Sequence, residues 1–171
     1  MDPLKSKIRD VQDFPKPGII FKDITPLLKD PTALKLSIQQ LLQPFWERKI
    51  TAVVGLEARG LIFGALAAWE LSLPFIPLRK PGKLPYSSHS VAYDLEYGSA
   101  VLQAHIDALE PHDRVLVIDD LLATGGSAKA ACELIEKFGA TVEACAFVIE
   151  LDFLNGREKL KNREIHSLLH F

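Results

Sequence analysis

The run Asp119-Asp120-Leu121-Leu122-Ala123-Thr124-Gly125-Gly126-Ser127 carries the densest chemistry in this 171-residue chain. Directly before it, Val115-Leu116-Val117-Ile118 is a nearly continuous β-branched strand, of the kind buried on both faces of a parallel sheet. Two adjacent carboxylates at the end of such a strand are costly to bury without donors or a ligand. Small and hydroxyl residues, two glycines and a helix start follow, and together they read as a phosphate cradle. Free backbone amides and the helix dipole favour an anion there. No Gly-Lys-Ser/Thr follows at the spacing of a Walker A loop. A lone Gly-Gly-Ser would be an ordinary capped turn; the whole run from Val115 to Ser127 is what points to a ligand. Neighbours on a strand face opposite ways, so Asp119 and Asp120 are expected to have unequal roles.

The elements that must position these residues are legible around them. Asp30-Pro31 caps and opens a helix whose Leu34, Ile38, Leu41, Leu42 and Phe45 recur at helical spacing, and Pro44 should kink or end it. Thr51 to Leu56 reads as a strand and Gly60 to Leu71 as a helix, with Gly60 and Gly64 allowing close packing on a sheet. Leu73 to Leu78 is a second strand despite its two prolines. Ser127 to Phe138 reads as a helix stopped by Gly139, and Val142 to Ile149 as a fourth strand. The excursion from Lys80 to Asp113 reads as a mobile functional loop plus a strand pair. The order of elements predicts an α/β fold with a mainly parallel central sheet flanked by helices. Ligands in such sheets sit beyond the carboxyl ends of the strands.

Val-Leu-Val-Ile-Asp-Asp-Leu-Leu-Ala-Thr-Gly-Gly-Ser resembles the phosphoribosyl-pyrophosphate (PRPP) signature of the type I phosphoribosyltransferases. The segments Asp13 to Ile24, Gly55 to Gly60, Arg79 to Pro85 and Asp94 to Gly98 narrow the resemblance to the adenine phosphoribosyltransferases, from about Asp10 to Leu160. The resemblance implies one phosphoribosyltransferase domain over 1–171, with an N-terminal hood over about 1–30 and a flexible catalytic loop over about 80–98. It implies transfer of the 5-phosphoribosyl group from PRPP to adenine, giving AMP and pyrophosphate.

By that resemblance, Asp119 and Asp120 lie near the ribose hydroxyls, and Ala123, Thr124, Gly125, Gly126 and Ser127 bind the 5′-phosphate. Displacement at the ribose C1 passes through an oxocarbenium-like state that nearby carboxylates stabilise. Glu57-Ala58-Arg59 becomes the pyrophosphate loop, with Arg79, Lys80 and Lys83 as its basic partner loop. Their cations match the leaving group's charge, and arginine suits bidentate contacts to its oxygens. The family commonly has a cis peptide in the first of these loops, here Glu57-Ala58. Phe21 would stack on one face of the purine and Leu151 on the other, while the backbone of Ile20 and Lys22 reads its Watson–Crick edge. Glu96 is the candidate acid/base for the purine ring, and Tyr97 would help the loop close and exclude water.

Composition limits the rivals. Twenty basic against 22 acidic residues give a net charge of −2, which lacks the positive excess of a duplex nucleic-acid binder. The longest apolar run, Leu61 to Trp69, falls short of the ~20 residues of a membrane span, and the first ten residues lack the apolar stretch of a signal peptide. Cys132 and Cys145 form no C-x-x-C pair and read as buried thiols in a reducing, cytoplasmic compartment; the five histidines show no metal-ligand spacing. Mg²⁺ is the implied cofactor, held mainly by PRPP and water rather than by protein ligands. The family implies a homodimer. The alternatives are a phosphoribosyltransferase of the same superfamily for another purine, or a non-catalytic regulator that senses PRPP or nucleotides.

Overall fold

The first unit of the chain, residues 1–40, opens with two short antiparallel strands, β1 (Arg9–Gln12) and β2 (Ile20–Asp23), paired from Arg9↔Asp23 to Gln12↔Ile20. This computed structural model describes residues 3–94 and 98–171. At the end of β2 the Asp23 carboxylate is buried and accepts hydrogen bonds from the Thr25 amide and hydroxyl and from Arg9. Those donors, Thr25 first, hold its carboxyl down to about 2. Helix α1 (Thr25–Lys29) follows, then α2 (Pro31–Leu42). Asp30 Oδ1 accepts from the Thr32 and Ala33 amides at 3.1 Å each, so α2 has the expected cap, and a short turn at Gln43–Phe45 ends it around Pro44.

The second unit, residues 41–171, is built on a five-stranded sheet. Its elements are β3 (Ala52–Leu56), α3 (Gly60–Leu71), β4 (Phe75–Leu78), β5 (Ser88–Asp94), β6 (Ser99–His105), β7 (Arg114–Leu122), α4 (Gly126–Glu136), β8 (Thr141–Glu150) and β9 (Ile165–His170). The sheet order is β4-β3-β7-β8-β9 with every neighbouring pair parallel, while β5 and β6 form a separate antiparallel pair. Parallel strands are covered on both faces, and β3, β7 and β8 are accordingly apolar and buried along most of their length. Helix α3 lies on β3 and β7, with Gly64 against Gly55: a Cβ on Gly64 would stand 3.0 Å from Gly55 Cα. Helix α4 buries Ala131, Cys132, Leu134 and Ile135 in the core.

Several expectations are corrected. β7 does not stop at Ile118: Asp119 pairs with Phe147 and Leu122 with Glu150, so both aspartates lie within the strand. Leu121 and Leu122 supply enough apolar surface for pairing with β8 to continue past the acids. Helix α4 begins at Gly126 and ends at Glu136, two residues short of Phe138, before Gly139 at φ +78°. The main sheet has a fifth strand, β9, at its edge beside β8, hidden in sequence by the polar residues of Ile-His-Ser-Leu-Leu-His. β4 tolerates Pro77 because it is the other edge strand.

Candidate active site

Because the sheet is parallel, the carboxyl ends of β3 and β7 meet at one rim. There they line a cavity of about 340 Å³ with Glu57, Ala58 and Arg59 on one side and Asp119 through Gly125 with Ser127 on the other. The approach is close because Gly60 has no side chain: a Cβ there would sit 2.5 Å from Asp119 Oδ1 and 3.0 Å from Asp119 Cα. The Glu57-Ala58 peptide is cis, as the resemblance implied.

Asp119 and Asp120 differ as the strand alternation requires. Arg59 Nε lies 2.8 Å from Asp120 Oδ2, while Asp119 Oδ1 accepts the Asp120 amide at 2.8 Å. Burial first, and then the charge of Asp120, push the Asp119 carboxyl well above its ordinary range. Burial raises Asp120 too, but Arg59 opposes it. The site therefore holds two buried acids against one touching guanidinium.

The loop after β7 turns through Gly125 at φ +78°, a left-handed conformation suited to glycine, and leads into α4 with no side chain capping the helix. The first amides of a helix lack intrahelical partners, and an uncapped start leaves them for a ligand. Behind the loop stands a residue that sequence reading did not single out. A Cβ on Gly125 would collide with the Gly156 carbonyl, and one on Gly156 with the Ala123 carbonyl, so the two segments pack backbone on backbone. The Asn155-Gly156 dipeptide was visible as a turn signal, but nothing in it named the loop it backs.

The basic loop is tied to the cavity through Glu57. Its Oε2 accepts Arg79 Nε at 3.0 Å and the Lys80 amide at 2.7 Å, and these bonds, the Lys80 amide foremost, hold its carboxyl below the ordinary range. Glu57 thus holds the basic loop, whereas Arg79, Lys80 and Lys83 do not themselves line the cavity; Lys80 and Lys83 are exposed. Leu151 is half-buried at the end of β8, and its amide donates to the Leu122 carbonyl at 3.0 Å. Ile20, Phe21 and Lys22 belong to the other unit. There Phe21 meets Phe14 edge to face at 5.1 Å, and Lys22 Nζ reaches Asp10 at 2.7 Å. Glu96 and Tyr97 lie outside the described residues. Among the described residues no helix is long and apolar enough to cross a membrane.

An acidic pair and an uncapped glycine loop at the rim of a parallel sheet, with a basic loop tied to that rim through Glu57, fit the class of the type I phosphoribosyltransferases, and the family model of the phosphoribosyl transferase domain matches residues 28–167. The adenine phosphoribosyltransferase of Nitrosococcus oceani is 67% identical over 171 residues, all of this chain and all of that one. The crystal structure of the Rhodothermus marinus adenine phosphoribosyltransferase is 51% identical with a TM-score of 0.94, covering 98% of this chain and 96% of its own. That of Saccharomyces cerevisiae, complexed with an imino-altritol bisphosphate and adenine, is 40% identical with a TM-score of 0.91 and covers 96% of each chain. The chain belongs to the adenine phosphoribosyltransferase family.

Proposed function

We propose that this site joins PRPP to adenine, giving AMP and pyrophosphate. The observation that carries the reading is the uncapped start of α4 beside the Asp119–Asp120 pair and Arg59, in one cavity. A 5-phosphorylated sugar fits that order: phosphate on the Thr124–Ser127 amides, ring beside the acids, pyrophosphate toward Arg59. As the C1–O bond to pyrophosphate breaks and the C1–N9 bond forms, positive charge grows on the ribose and the buried carboxylates stabilise it. The N9 proton passes to Glu96, and Tyr97 helps to exclude water from the electrophilic carbon. Arg79 and Lys80, held by Glu57, and the nearby Lys83 receive the pyrophosphate. Leu151 walls the purine on one face.

Mg²⁺ suits this donor set, because burial and the neighbouring Asp120 disfavour the charged Asp119 carboxylate, and a hard cation with oxygen ligands would offset that. Asp119 and Asp120 would hold it chiefly through water and the substrate's own oxygens. When bound, it supplies neutralisation of the pyrophosphate charge. A cytoplasmic location is supported by the two buried thiols, Cys132 and Cys145, which stand 3.7 Å apart and unbridged. A homodimer is supported by α3, which exposes Ile62 and Trp69 seven residues apart on one face, Trp69 at 83%. Sedimentation of the purified protein checks the dimer.

The reaction is tested by supplying PRPP and Mg²⁺ with each nucleobase in turn. Adenine is expected to exceed hypoxanthine and guanine by about a hundredfold or more in kcat/KM, within reach of a site whose polar groups fit one substrate edge. Comparable values for guanine would overturn adenine as the substrate.

A further inference from the structure

The segment from Glu150 to Arg157 leaves β8, passes through Leu151 and returns to the sheet at Gly156, so its two ends touch different parts of the site. At one end Leu151 is tied to the last residue of β7, its amide N–H donating to the Leu122 carbonyl. At the other, Gly156 lies backbone on backbone against Gly125 and Ala123 of the phosphate loop. One side-chain pair closes the segment. Arg157 Nε meets Glu150 Oε1 and Arg157 Nη2 meets Glu150 Oε2, both at 2.7 Å, the two-pronged geometry that fixes direction as well as distance. Arg157 also donates to the Ile165 carbonyl of β9 at 3.3 Å, so it is braced on the sheet edge. Glu150 is buried, 4% exposed, while Arg157 is largely outside, so the clamp grips the segment from its solvent side. His170 Nδ1 stands 2.8 Å from Asp152 Oδ1 and 3.9 Å from Glu150 Oε2. With both Glu150 oxygens given to Arg157, this cluster of acids and a histidine is a brace rather than a metal site.

We propose that Arg157 is a positioning residue for the transfer reaction: through Glu150 it holds the Leu151 wall and the back of the phosphate loop in one fixed relation. The proposal rests on the reading of Leu151 as the purine wall and of the loop as the phosphate cradle. It deepens that reading by joining the two subsites mechanically. Arg157 does not line the cavity, so losing it displaces binding surfaces without altering the groups that act on C1. Misplacement of site groups by ~1 Å can cost about a hundredfold in rate, and here the cost is expected in the binding of both substrates together.

The test is steady-state kinetics on the full chain with Arg157→Met, assayed well below its melting temperature as followed by circular dichroism. KM for PRPP and KM for adenine are both expected to rise about tenfold or more with kcat within about threefold of the parent, the pattern of lost uniform binding. Glu150→Gln added to Arg157→Met should change neither KM by more than about twofold, because the two side chains act as one unit. Should Arg157→Met fail to fold, Arg157→Lys keeps the charge but loses the fork, and about a threefold rise in both KM values is expected. A lowered melting temperature with both KM values unmoved would reduce Arg157 to a structural residue and overturn the proposal, as would a shift in only one KM or in kcat alone. A parent chain that makes no AMP overturns the functional reading itself, and the proposal with it; an active parent with unmoved variants overturns the proposal alone.

Discussion

Arg59 and Asp120 form an ion pair across the candidate cavity, Nε to Oδ2 at 2.8 Å, linking the turn after β3 to the acid near the end of β7. The pair is possible because position 60 brings the two strand ends together without a side chain between them. Asp119, one residue earlier in β7, packs directly against that position, so geometry at Gly60 is transmitted to both acids.

Gly60→Ala therefore forces a methyl group onto the Asp119 backbone. Overpacking of this kind costs about 1–3 kcal/mol, and in a chain of this size the melting temperature is expected to fall by about 2–4 °C for each kcal/mol. Calorimetry gives the stability change, and PRPP affinity should fall with it because Asp119 must move. Unchanged melting and unchanged PRPP affinity together would show that the approach is looser than the backbone distances imply.

Thr124→Val removes one hydroxyl from the loop proposed to hold the phosphate and leaves its backbone intact. A hydrogen bond to a charged acceptor is worth about 1.5–3 kcal/mol, so PRPP affinity should drop by roughly 10- to 150-fold while adenine affinity holds. Titration calorimetry on the folded variant reads both. Equal PRPP affinities would place the phosphate elsewhere.

For Glu96→Gln, kcat is expected to fall by about a hundredfold or more, as for a positioned acid/base, with little change in substrate binding. Single-turnover measurements separate the chemical step from product release. A near-parental single-turnover rate ends the assignment, and a raised KM for adenine with kcat intact marks base recognition instead.

Asp23 makes stability depend on pH in the acid range. Its carboxyl stands at about 2 when folded, against about 3.9 in an unfolded chain. Between those values the folded state binds fewer protons, so its contribution is whole above about pH 4 and is lost as pH falls toward 2. Denaturant unfolding at a series of pH values should show Asp23→Asn losing less stability than the parent across that window. Parallel losses in the two proteins would mean that the Thr25 and Arg9 bonds do not set this titration.

Where the sequence was periodic or punctuated, the fold could be read in advance. Gly60–Leu71 emerged as a helix with the expected ends, and the Asp30 cap and the strand pair within the 80–113 excursion are both present. The acidic pair and the glycine loop were legible because few structural needs place such residues together after a β-branched strand. β9 was not, since an edge strand needs only alternate burial and its histidines and serine carry no strand signal. The tie from Glu57 to Arg79 and the packing of Gly156 on Ala123 and Gly125 were also hidden. Both join residues far apart in the chain, and no local pattern records which distant partner a carboxylate or a glycine will meet.

The meeting of Gly125 and Gly156 constrains how such a chain can change over time. Most clashes in a protein interior can be relieved by shrinking the residue opposite, which lets a lineage drift by paired substitutions. Here a side chain added at either position strikes a main-chain carbonyl, of Gly156 in one case and of Ala123 in the other. A carbonyl cannot be made smaller. No second mutation at the facing position can compensate for the first, so the two glycines are constrained independently of each other.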